Sequence, residues 1–464
     1  MPGNTGSLRA AAKKCWRSSV LATAFGAALL FLGSAAWGQG QAAADPPALR
    51  LIKLIPINGT AARPNTSMFS FDISWVDPTT GLYYLADRSN AALDVIDTKT
   101  DTLFGQIGGP GVGFAGDTGS TATSGPNGVT VAPNLPCIFA TDTAATGGGR
   151  VVSFNYNVSF TTLVSSVNTG GTARADEMAF DPADRVILAI NNADTPPFAT
   201  LISVSANCQL TLGTKITLNA ANRVNATNGA EQPVWVGGST QRFFLSVPQF
   251  DGVASRGGVV QITASGVVEG IYQVNFCSPA GLAVGPNGDL LVGCNTVFDT
   301  SGNVCTAVVP SPSAAGTPAG APATCTGIAN PQAAICNPGR GCSPAAGSLV
   351  AVPGVGGGDE VWFNSGDQNY YVTGGNDPVG PVFGVVASGA NTLVTPNTLT
   401  QLVPTLPPVP AVTTGSNRHS AGTVHSIAAS AANNHVYVPL PANTSYQLNG
   451  VGCAQGCIAV FSAQ

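Results

Sequence analysis

Short apolar runs and turn residues alternate along residues 71–107. The runs at 73–76, 82–86, 93–96 and 103–107 are separated by Asp77-Pro78-Thr79-Thr80-Gly81, by Asp87-Arg88-Ser89-Asn90 and by residues 97–101. Short runs of this kind, bounded by Gly, Pro, Asn and Asp, predict strands joined by tight hairpins. Four antiparallel strands in so short a span make the unit of a β-propeller blade.

The unit recurs along the chain. First strands are expected to begin near Phe71, Pro126, Asp176, Glu231, Pro279, Asp359 and Val424, each followed by a turn and a second apolar run. The fold class is therefore all-β, a β-propeller of seven four-stranded blades. Six is the alternative count, because blade five shows no clear outer strand: its third strand, read at 349–352, runs almost directly into Asp359. The last unit stops at a third strand, 458–461, while an unassigned apolar run at 51–57 precedes blade one. Pairing these two closes the ring and leaves no long exposed edge. Residues 295–347 read as an insertion in blade five, rich in Pro, Ala, Gly, Ser and Thr and carrying Cys305, Cys325, Cys336 and Cys342. Without bridges such a composition stays disordered, so a stapled excursion is expected. The Pro-rich stretch 403–412 reads as a linker.

The N-terminus stands apart from the repeats. Arg9, Lys13, Lys14 and Arg17 precede an apolar run at 20–32 and the small-residue site Ala36-Trp37-Gly38. This is the pattern of a secretory signal peptide, residues 1–38, too short to span a membrane. Residues 39–464 are then one exported propeller domain, periplasmic or secreted, and a monomer is expected. Removing the signal leaves 14 basic against 23 acidic residues, which argues against nucleic acid and anionic membrane as partners. Ten cysteines remain, an even number that in an oxidising compartment favours disulfides. Hairpin register brings Cys277 close to Cys294, and equivalent places on adjacent blades bring Cys137 close to Cys208; Cys453 and Cys457 can bridge locally.

The run Tyr84-Leu85-Ala86-Asp87 with Leu93-Asp94-Val95-Ile96-Asp97-Thr98 resembles the YVTN-type repeat of YncE-like propellers. Residues 285–292, GPNGDLLV, resemble repeats of NHL and SMP-30/gluconolactonase-like propellers. The resemblance implies a propeller over most of the chain. Among such relatives are lactone hydrolases with a central divalent metal and proteins without catalysis. The metalloenzymes are typically six-bladed, so no family ligand residues carry over to a seven-unit chain.

In a blade, the loop entering the first strand and the loop leaving the second lie on one face, around the central funnel. First-strand entries carry Asp72, Asn127, Asp176, Glu177, Glu231, Gln232, Asp359, Glu360 and His425. Second-strand exits carry Asp87, Arg88, Asn90, Asp142, Asn191, Asn192, Asp194, Gln249, Asn295, Asn376 and Asp377. Only 9% of the chain is charged, so this concentration of carboxylates is the strongest functional signal. Converging carboxylates need a cation or a proton. Oxygen donors suit a divalent cation, calcium foremost, with Asp72, Glu177 and Glu231 as anionic ligands and Asn127 and Asn192 as neutral ones. A bound ion would polarise an ester or lactone carbonyl, with His425 and Glu360 as candidate catalytic groups. The competing reading is local: Asp and Asn cap turns without any ligand. His419 and His435 read as structural, Trp75, Trp235 and Trp362 as packing between blades, and Asp87-Arg88 as a surface ion pair. No HExxH, GxSxG or phosphate-binding loop is present. Two functions follow: a metal-dependent lactonase-type hydrolase acting on a small ester or lactone, or a non-catalytic YncE-like propeller binding an envelope protein or glycan.

Overall fold

The computed structural model describes residues 48–305, 324–325, 328–329, 332–343, 348–375, 381–388, 398–405 and 424–463. The segment read as a signal, His419, Asn376, Asp377, about half of the 295–347 stretch and most of the 403–412 stretch lie outside these residues.

Each hairpin is written locally. Asp77 ends the first strand of blade 1, Ser74–Asp77, and its carboxylate accepts from the Thr79 amide at 2.8 Å and the Thr80 hydroxyl at 2.7 Å. Asp97, Asn155, Asp181 and Asn364 end other strands in the same way, each accepting from the amide two residues on. A strand ending in Asp or Asn thus supplies its own turn. The middle strands bury nearly every residue: Leu82–Asp87 and Cys137–Thr143 are buried throughout. Outer strands such as Ser159–Asn168 are half exposed.

Seven four-stranded antiparallel sheets result. Seven apolar clusters fill the spaces between neighbouring blades, one for each pair around the ring. The ring closes as expected: Leu49–Pro56 is the outer strand of blade 7, pairing antiparallel with Cys457–Ala463. Blade five differs from the sequence reading. Its third strand is Gln332–Cys336, within the stretch read as insertion, and Leu349–Pro353 is its outer strand. The count of seven therefore holds and six does not.

Disulfides join Cys137 to Cys208 across blades 2 and 3, and Cys277 to Cys294 within blade 5. Cys336–Cys342 and Cys453–Cys457 close short loops. Around the channel the segments entering the first strands also bond directly. Ile73 donates to the Asn127 carbonyl at 3.1 Å and Gly128 to the Asp176 carbonyl at 3.1 Å. A Cβ on Gly128 would lie 2.4 Å from that carbonyl oxygen, so only glycine permits the approach.

Candidate functional site

The funnel is built on the extended segments that lead into the first strands. Asp72 is fixed by its own amide, which donates to the Ala86 carbonyl at 2.9 Å. Its buried carboxylate meets three cations from three other segments. Arg88 binds Oδ2 directly, the His425 Nε2 lies 2.6 Å from Oδ1, and Arg174 Nη1 stands 3.6 Å from Oδ2. Burial works to raise the Asp72 pKa, but Arg88, His425 and Arg174 outweigh it and hold the carboxyl well below its usual range.

The cations continue the network. Arg88 Nε donates to Asn127 Oδ1 at 2.8 Å, and Asn127 Nδ2 donates on to the Ala175 carbonyl at 2.8 Å. Arg174 donates to Asp176 at 2.7 Å and to Asn192 at 3.4 Å. His425 uses its second nitrogen on Asp359, 2.7 Å away. An imidazole with a carboxylate on each nitrogen is held as imidazolium. Burial favours the neutral ring, but Asp359 and Asp72 dominate and lift the His425 pKa well above 6.5. His425 thus links blades 1, 6 and 7 through Asp72 and Asp359, with both ring nitrogens engaged.

Glu177 and Glu231 differ from Asp72. Glu177 is 6% exposed, and its Oε2 is buried without a hydrogen-bond partner, as is Oδ1 of Asp176. Burial, then the fields of Asp176, Glu231, Asp359 and Asp72, push the Glu177 pKa far up. Glu231 accepts from Asn192 Nδ2 at 3.3 Å, and its pKa is pushed up to about 8, first by burial and then by Asp176 and Asp359. Asp176 is raised to about 7 by burial, with Arg174 opposing.

The structure thus brings Glu177, Glu231 and Asn192 to one side of the funnel, beside Asp176. It assigns Asp72 and Asn127 to Arg88. Among the described residues no group of three His, Cys, Asp or Glu side chains is gathered so that it could hold a metal. Glu360 lies apart: it is fully buried, and its Oε2 accepts from the Ile427 amide at 2.9 Å, the Ser74 amide at 3.3 Å and the Ser426 hydroxyl. It joins blade 6 to blades 7 and 1, and its Oε1 is buried without a hydrogen-bond partner. Gln232 does the same from blade 4, accepting from Leu282 at 2.7 Å and Val361 at 3.4 Å. Truncation of Glu360 strands these donors, each worth about 1–3 kcal/mol when buried unmade. Glu360→Ala is expected to lose about 3 kcal/mol or more in denaturant unfolding, and Glu360→Gln, which keeps an acceptor, much less. A Glu360→Ala variant as stable as the parent would contradict the clamp.

Second-strand exits are mostly structural. Asp142 pairs with Arg150 at 2.6 Å, and Asp194 accepts from the Thr172 amide at 2.8 Å and its hydroxyl at 2.7 Å. His435 meets Asp101 at 3.1 Å at the opposite face. Arg88 is 5% exposed and bound to Asp72, so it is no surface partner of Asp87. Arg174 escaped the sequence reading altogether; its place two residues before Asp176 at a first-strand entry was the available signal.

No protein-family model matches the chain, and no curated protein sequence does. Solved structures match in fold. A Kuenenia stuttgartiensis hydrazine synthase chain aligns over 82% of this chain and 95% of its own, with 12% identity and a TM-score of 0.54. The WD40 repeats of RRP9 cover 90% of this chain and 99% of theirs, with 8% identity and a TM-score of 0.53. The β-propeller domain of Myceliophteria thermophila Cps50 (Swd1) covers 90% and 100%, with 9% identity and a TM-score of 0.52. At such identities the likeness is one of fold, a propeller, and carries no activity.

Proposed function

We propose that this chain is an exported, non-catalytic binding propeller whose funnel receives a cationic group at Glu177 and Glu231. The carrying observation is the unpartnered, buried Oε2 of Glu177, next to the unpartnered Oδ1 of Asp176. The funnel's own cations are committed elsewhere, Arg88 and His425 to Asp72, Arg174 to Asp176 and Asp72, and His425 also to Asp359. A buried carboxyl oxygen without a donor is costly, and a ligand ammonium supplies the missing partner. The loose gathering of acidic groups favours a protonated amine, on a small molecule or on an envelope protein or glycan, over a bare ion; calcium remains the inorganic form of the same chemistry. A lactonase would need in addition a base that reaches the substrate; His425 is held by Asp72 and Asp359, and Glu360 is fully buried. Export is supported by the N-terminal signal pattern and by four disulfides between described residues, Cys137–Cys208, Cys277–Cys294, Cys336–Cys342 and Cys453–Cys457. Among the described residues no helix is long and apolar enough to cross a membrane.

The test is titration calorimetry of the mature chain with 1,4-diaminobutane and with calcium chloride, beside a lactone and ester hydrolysis panel. Diamine binding that weakens at least about tenfold in Glu177→Gln, with no turnover, is the expected result. Calcium-dependent lactone turnover that Glu177→Gln abolishes would reinstate the hydrolase. No binding of either cation would remove the funnel site.

A further inference from the structure

The first strands carry a second feature where they leave the funnel. A cavity of about 340 Å³ opens among the ends of the first strands of blades 1 to 6, beyond the layer that Gln232 and Glu360 tie together. Its walls include Trp75, Trp235, Trp362, Phe180 and Phe363, and no charged side chain lines it. The tryptophans do pack between blades, as their equivalent positions predict. Trp75 of blade 1 and Trp362 of blade 6 meet edge to face at 5.0 Å; Trp235 lies 4.7 Å from Phe243, its cross-strand partner in blade 4, and packs on the cluster between blades 3 and 4. All three nevertheless stay half-buried, whereas the core aromatics Tyr83, Phe139 and Phe243 are sealed.

Two polar groups in this wall lack partners. The indole Nε1 of Trp75 and the hydroxyl of Thr130 are buried without a hydrogen bond. A buried N–H left unmade is a standing cost that an acceptor would remove. An uncharged lining rejects ions, because nothing there compensates their desolvation. The volume lies in the range of small-molecule sites.

We infer that this mouth of the channel is a binding site for a neutral, flat, largely apolar molecule carrying one hydrogen-bond acceptor oxygen. Its rings lie against Trp75, Trp235 and Trp362, and its oxygen accepts from the Trp75 indole, whose buried Nε1 comes to the cavity surface as the half-buried ring turns. The site is independent of the cationic one in the funnel.

The neutral fluorescent ketone Prodan, flat and apolar with one carbonyl, is the probe. Titrated into the mature chain, it is expected to shift its emission to the blue, saturably and at one molecule per chain. Trp75→Phe keeps an aromatic ring but removes the indole N–H and part of the stacking face, and is expected to weaken binding about two- to tenfold. Val234→Trp fills the cavity and is expected to abolish it, while Glu177→Gln in the funnel leaves it unchanged. Circular dichroism and melting confirm that each variant is folded; should Val234→Trp fail to fold, Trp75→Phe and Thr130→Val carry the test. Absence of saturable binding in the parent chain, or binding unaffected by every folded cavity variant, would overturn the site.

Discussion

A chain lacking Leu49–Pro56 is expected to lose cooperative melting and to associate at its exposed edge. That strand, LRLIKLIP, is the outer strand of blade 7 and closes the ring. Leu54 and Ile55 are each 3% exposed; Leu54 packs in the cluster between blades 6 and 7, and Ile55 in the cluster between blades 7 and 1. Their burial contributes about 3–6 kcal/mol together. Domain stabilities total only about 5–15 kcal/mol, so the loss is of the same order as the whole. Deletion also bares the backbone edge of Cys457–Ala463, a strand of buried apolar residues and a template for pairing with other chains. The comparison is differential scanning calorimetry with light scattering, with and without the strand supplied as a peptide. A truncated chain that melts within a few degrees of the parent would show that the ring holds without its latch.

Raising the pH from 5 to 9 is expected to lower the melting temperature steadily, on the order of 10 °C. Buried carboxyls are the cause. Asp87 and Asp142 are raised to about 6, Asp176 to about 7, and Glu231 and Glu360 to about 8, in each case first by burial; burial and neighbouring carboxylates push Asp94 and Glu177 well above the usual carboxylate range too. Between the usual carboxylate range and these values, the folded chain holds protons that the unfolded chain has released. Stability is then full at low pH and falls as pH climbs through the folded values. His425 adds in the same direction, since its raised pKa gives stability that is present below about 6.5 and lost above. Asp72, held low, acts the other way, but only in acid. Scans in chelator-containing buffers test this, and Glu360→Gln is expected to flatten the slope. A melting temperature that is level or rises between pH 5 and 9 would contradict the protonated core.

The blades were legible because their signals are local. Alternating apolar runs, and strand-ending Asp or Asn residues that bond their own turns, recur wherever a hairpin stands. The Cys137–Cys208 and Cys277–Cys294 bridges followed from blade geometry for the same reason. The third strand of blade 5, QAAIC, was hidden because its short apolar run sits in an Ala- and Pro-rich neighbourhood. At the funnel the positions of Asp72, Glu177, Glu231 and His425 were legible, their partners were not. Whether a carboxylate meets an arginine, a ligand or a proton depends on how far loops from other blades reach. Arg88 and Arg174 reach Asp72 from 16 and 102 residues away in sequence, a contact that only the closed ring creates.

The central claim is that Glu177 and Glu231 are held as acids until a cation takes the proton's place. Calorimetry of diaminobutane binding at pH 7 in two buffers of different ionisation heat counts the protons released. Release of about one proton or more per ligand, with affinity rising toward pH 8, is predicted. Binding without proton release, at an affinity that does not change with pH, would contradict it.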